Sequence, residues 1–181
     1  MFRHGRSEYL VLRRTIAQRG ALRHVLFLSG IGIWAVTAIA VLVWLPYQGA
    51  AFIPLIVLLA TFEAIRPLHF GAERIGRYLQ VFYEEAGEVE RPLRDTPSWE
   101  RVAMQFGAVP GVGGHPLFAP AFILAIGVNY MTALHMRPGF ADHVLLAIVH
   151  AVFGGWVMSA HRAMKKQRAI EVERMRHLLT K

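Results

Sequence analysis

Four apolar stretches, at residues 22–45, 50–65, 117–136 and 143–163, alternate with strongly basic ends and one long polar segment. Each approaches the ~20 residues that a helix needs to cross about 30 Å of hydrocarbon. Backbone groups in lipid have no water to bond, so such stretches satisfy them internally, as helices. The pattern predicts an all-α, polytopic membrane protein: a four-transmembrane-helix bundle with cytoplasmic amphipathic helices.

The expected organisation has five parts: a basic amphipathic leader over residues 1–21, a transmembrane hairpin over 22–66, a cytoplasmic helical extension and interfacial helix over 67–116, a second transmembrane hairpin over 117–163, and a basic tail over 164–181. Hydrophobic residues make up 55% of the chain and charged ones only 18%, below the ~25% of an ordinary soluble domain. Spans that take up nearly half of 181 residues leave no room for a second globular domain. The absence of cysteine excludes a disulfide framework, a thiolate metal site and a cysteine nucleophile.

A net charge of +8 is compatible with nucleic-acid binding, but the positions of the 20 Lys and Arg point to a membrane instead. Arg3, Arg6, Arg13, Arg14, Arg19 and Arg23 gather at the start of the first span, and a second terminal cluster runs from Arg162 to Lys181. The connection after the first span has no basic residue, and Arg137 is alone in the other short one. By the positive-inside rule both termini and the middle segment are expected to be cytoplasmic; the expected location is a bacterial inner membrane, and no nucleic-acid partner is expected. The first span reads as an uncleaved anchor rather than a signal peptide, because its apolar core is long and Gly49 with Ala51 makes a poor cleavage site. The leader is expected to lie along an anionic inner leaflet.

The second span has no clean end. Ile65, Leu68, Ala72, Ile75, Leu79, Phe82 and Tyr83 continue its helical spacing past Pro67, where the missing backbone donor predicts a kink. Glu73 and Arg77 stand four apart in the favourable order. Gly87 and Pro92 are expected to close the helix after the acids that begin at Glu84. Ser98 is placed to cap a short interfacial helix carrying Trp99, Val102 and Phe106 on one face. The glycine-rich stretch 107–116 lacks the Lys-Ser/Thr pair of a phosphate loop and reads as a hinge.

In the fourth span Ala147, Ala151, Gly155, Ser159 and Ala163 recur every four residues, a pattern that permits close backbone approach. The expected partner for this face is another span of the same bundle, with the same span of a second subunit as the alternative.

Ionisable and polar residues inside a membrane are candidate functional residues. His143, His150 and His161 fall within about 20° on an ideal helix. Counting the helical rise places Asn129 level with His150, within reach of a hydrogen bond, and Glu63 inside the cytoplasmic boundary with Arg66 one turn below as counter-ion. Imidazoles on facing helices can ligate haem iron, so His150 is the candidate ligand in a haem b reading. Ala147, His150 and Trp156 also resemble the small residue, histidine and tryptophan of single-span bacterial antenna polypeptides, a resemblance that implies bacteriochlorophyll at His150; the spacing is common and assigns no family. The competing expectation is a buried His150 bonded to Asn129 or to a carbonyl.

Glu63 permits a small proton-coupled transporter, against which stand Arg66 and the lack of an inverted repeat or broken-helix pair. No serine–histidine–acid set, His-Glu-x-x-His or other zinc-ligand motif occurs at workable spacing, so catalytic residues and a metal site are not expected. The favoured expectation is a non-enzymatic membrane subunit or scaffold. It would dock another membrane-protein subunit, or a copy of itself, through its cytoplasmic helices and the small-residue face.

Overall fold

The computed structural model describes residues 6–45, 47–85, 117–136 and 139–179. The interfacial helix expected at 98–106, the hinge at 107–116, the acids Glu88 and Glu90 and the lone Arg137 lie outside them. The described residues are all-helical. Helix α1 spans Arg6–Trp44 and α2 spans Phe52–Leu79, preceded by a 3₁₀ turn at Gln48–Ala51 and extended by a wider π-type turn at Gln80–Glu85. Helix α3 spans Ala119–His135 and α4 spans Phe140–Leu179.

Three helices are long and apolar enough to cross a membrane: α1, α2 and α4. Helix α3 is apolar but only 17 residues long, about 25 Å at 1.5 Å per residue. It starts late because Phe118 adopts a left-handed conformation (φ 50°, ψ 27°), which no helical turn accepts, and Pro120 then occupies the first turn, where a missing N–H costs nothing. Three helices are therefore long enough to span and one apolar helix is shorter, where the sequence pattern predicts four spans.

From Arg6 on, the leader is helical and continuous with the first span. It is the N-terminal part of α1, a helix of 39 residues that has no proline to interrupt it. Helix α2 likewise runs through Pro67 to Leu79.

The chain divides into two compact units. One takes in Arg23–Pro67 and Leu117–Arg162, the other Met1–Leu22, Leu68–Pro116 and Ala163–Lys181. The first unit is an apolar bundle whose core includes Leu55, Leu58, Phe62, Phe122, Phe153 and Val157. Phe62 makes edge-to-face contacts with Phe122 and Phe153, and Phe27 stacks on Phe118 with ring centroids 4.1 Å apart. That stack, together with the Arg23 guanidinium 5.4 Å from the Phe118 ring centroid, holds the left-handed residue in place. Helix α1 meets α2 at Gly30, where an added Cβ would overlap the Thr61 side chain.

The outside of this unit is as apolar as its core. Val25, Leu28, Val36 and Ile39 of α1, Ile56 of α2, Leu124 and Met131 of α3, and Ile148 and Val152 of α4 are all exposed. A soluble protein rarely exposes so continuous an apolar surface, whereas a lipid solvent requires one. Thr37, Thr61 and Thr132 each turn the hydroxyl back onto the carbonyl four residues earlier, which satisfies it without water. Both features are consistent with an integral membrane protein.

The second unit packs polar side chains into its interior. His69, Arg77, Leu79, Val81, Tyr83 and Met164 are buried there, Tyr9 contacts Tyr83, and the Arg19 guanidinium lies against Gly71.

Candidate functional site

The polar centre of the apolar bundle is Asn129, 1% exposed, on α3. Its Nδ2 donates to the Ala51 carbonyl at 3.2 Å and to His150 Nε2 at 3.0 Å, and its Oδ1 accepts a hydrogen bond from Trp34 Nε1 at 3.4 Å. His150 Nδ1 lies 2.7 Å from the Leu146 carbonyl. A carbonyl only accepts, so Nδ1 carries the proton and Nε2 is the acceptor for Asn129. One amide thereby ties together α1, the turn before α2, α3 and α4. Tyr130 packs its ring 5.3 Å from that of His150, and its hydroxyl lies 3.4 Å from His143 Nε2.

Both nitrogens of His150 are thus committed within the protein. A haem or chlorin ligand would have to take Nε2 from Asn129, leaving a buried amide N–H without its partner. The stripe of histidines expected along α4 does not act as a unit, since His143 pairs with Tyr130 and His150 with Asn129.

A second polar cluster joins α2 to α4. Arg66 donates from Nε (3.2 Å) and Nη2 (2.8 Å) to the same Glu63 oxygen, Oε2. The other oxygen, Oε1, accepts a hydrogen bond from Trp156 Nε1 at 2.7 Å, and the Arg66 guanidinium lies 5.2 Å from the Trp156 ring centroid. The carboxylate is held by an ion pair on its own helix and an indole N–H from another, while the indole face carries the cation. Glu63, Arg66 and Trp156 are all partly exposed, at 38%, 34% and 43%.

The small-residue face of α4 is largely open among the described residues. Ala151, Gly155, Ser159 and Ala163 are exposed, Ala147 is half-buried, and a Cβ added to Gly155 would meet nothing within 4 Å. The packing expected for this face, by another span of the same bundle, is not seen among the described residues. Tight packing occurs instead at Gly30, whose neighbours in sequence give no small-residue repeat.

The second unit contains a charge cluster that the sequence conceals. Arg77, 2% exposed, donates to Glu171 Oε2 from Nε at 2.9 Å and from Nη2 at 2.6 Å, and its Nη1 reaches Glu73 at 3.2 Å. Glu171 Oε1 accepts from Gln167 (2.7 Å) and Arg74 (3.2 Å). Glu171 lies beyond the expected fourth span. Burial pushes its carboxyl upward, but the hydrogen bonds from Arg77, Gln167 and Arg74 and the charge of Arg77 outweigh that and hold it below its ordinary value. Nearby, His69 Nε2 lies 2.8 Å from Met164 Sδ. The α2 extension and the α4 tail, expected to dock a partner, pair Glu73, Arg77 and Glu171 with one another.

Among the described residues no group of three or more His, Asp or Glu side chains is placed to hold a metal ion. No protein-family model, curated protein or solved structure matches the chain.

Proposed function

We propose that this chain is a non-enzymatic integral membrane subunit that works by associating with another membrane protein or with a second copy of itself. In this reading α3 crosses the bilayer with the three longer helices, making a four-helix bundle whose termini are both cytoplasmic. The basic clusters before α1 and along the α4 tail support that orientation.

The observation that carries the proposal is the commitment of the bundle's polar groups. Trp34 and His150 both bond Asn129, and the partly exposed Glu63 is held by Arg66 and Trp156. A carrier needs a carboxylate free to cycle its proton, and an electron-transfer subunit needs an imidazole nitrogen free for iron. Neither is offered at these positions. The outward Ala151, Gly155 and Ser159, by contrast, permit another helix to approach.

Native gel electrophoresis of gently solubilised membranes tests the proposal. The chain is expected in a species larger than its own 20.3 kDa plus bound detergent, and Gly155→Leu is expected to shift it to the lone chain. A wild-type chain that migrates alone under every mild detergent contradicts it.

A further inference from the structure

Glu63 and Arg66 form a partly exposed zwitterion on an otherwise apolar face. On an ideal helix Ile56, Leu59, Glu63 and Arg66 fall within about 80° of one another, and Ile56 and Leu59 are exposed beside them. Arg66 uses Nε and Nη2 on Glu63 Oε2, so Nη1 stands outside that pairing. Trp156 covers one face of the guanidinium and ties down Glu63 Oε1. Both charges are thereby fixed in position, each about a third exposed. Val152, one turn along α4 from Trp156, is exposed and apolar.

We infer that this cluster is a headgroup site for a phosphoethanolamine lipid. The lipid phosphate takes the free edge of Arg66, the primary ammonium takes Glu63, and an acyl chain runs along the exposed Leu59 and Val152. The inference rests on the membrane reading above.

Charge complementarity selects this occupant. A site with one carboxylate beside one guanidinium matches a headgroup with one ammonium beside one phosphate, and guanidinium forks suit phosphate oxygens. A purely anionic headgroup satisfies Arg66 but meets the Glu63 carboxylate with no cation to offer. A choline headgroup has no N–H to donate, and the aromatic face that would attract its quaternary ammonium already carries Arg66.

The test is native mass spectrometry of the purified full chain offered equal amounts of phosphatidylethanolamine, phosphatidylcholine and phosphatidylglycerol, beside alkaline carbonate extraction of the membranes it came from. Phosphatidylethanolamine adducts are expected to exceed phosphatidylcholine adducts about tenfold, the order of one charge-assisted hydrogen bond. Glu63→Gln keeps Arg66 and the side-chain shape, and is expected to bring the two lipids level. Arg162→Gln, a basic change elsewhere on α4, is expected to leave the preference intact. Equal wild-type binding of the two lipids, a preference for phosphatidylglycerol, or a preference that survives Glu63→Gln each overturns the inference. A chain that resists carbonate but shows no preference loses only this site, while one released by carbonate loses the membrane reading as well.

Discussion

Asn129 Nδ2 lies 3.0 Å from His150 Nε2, and this contact between α3 and α4 fixes the protonation of the imidazole because Nδ1 already donates to the Leu146 carbonyl. The pair sits where haem ligation would need a free nitrogen and fills the place with an internal hydrogen bond. In the function proposed above its role is structural, and its removal has a defined signature.

Asn129→Leu leaves His150 Nε2, Trp34 Nε1 and the Ala51 carbonyl without the amide. We expect a loss of about 1–3 kcal/mol from these stranded groups. Adding His150→Leu should cost less than the sum of the singles, with a coupling of about 1 kcal/mol, as interhelical hydrogen bonds in membranes typically show. Reversible unfolding in mixed micelles measures all four species. Strict additivity would show that the contact does not contribute.

Gly30 and Gly155 make opposite predictions from the same substitution. Gly30→Leu drives a side chain into Thr61 and is expected to destabilise the bundle by about 1–3 kcal/mol. Gly155→Leu projects into open space and is expected to leave the thermal stability of the isolated chain unchanged while altering its assembly. Thermal melts of both variants in detergent decide the point; equal destabilisation would place Gly155 inside the packed bundle.

The Glu63–Arg66 pair distinguishes structure from transport. Arg66→Gln strands a carboxylate, and the double change to Gln at both positions should recover part of the lost stability because it removes both charges together. Trp156→Phe keeps an aromatic ring beside Arg66 but loses the indole N–H with its five-membered ring, so we expect a smaller loss of about 1 kcal/mol. Proteoliposomes loaded with a pH dye supply the other arm. Solute-dependent proton movement in the wild type that disappears in a well-folded Glu63→Gln would establish a carrier.

These pairings show what was legible in the sequence. Asn129 and His150 are found by counting rise along two helices joined by a short connection, and Glu63 with Arg66 by their separation of three on one helix. Depth follows from counting, but azimuth does not. For that reason Trp156, whose N–H reaches Glu63 from another helix, is missed as its partner, and the small-residue face of α4 is assigned to the interior when it faces out. A repeat of small residues permits close approach without saying on which side the neighbour stands. Arg77 and Glu171, 94 residues apart, carry no local signal at all. Phe118 explains the shortened α3, since hydropathy has no means of reporting a left-handed backbone.

Glu171 sets a pH dependence for the second unit. Its carboxyl is held below its ordinary value in the folded chain, so its contribution is fully present above the ordinary glutamate range and is lost as pH falls through the lowered folded value. Neutral and alkaline melts should be flat with respect to this group. Glu171→Gln is expected to melt lower at neutral pH, because Arg77 keeps only Glu73 as a carboxylate, and to lose less on acidification than the wild type. Circular dichroism melts between neutral and strongly acid pH compare the two, and identical acid limbs would remove Glu171 from the account.

The central claim is that the chain acts by association through the outward face of α4, and site-specific photocrosslinking in native membranes tests it most directly. A photoreactive amino acid at position 155 should yield one discrete protein adduct, whereas the same probe at position 36, on the exposed face of α1, should yield lipid adducts alone. Lipid adducts alone at position 155 would contradict the account.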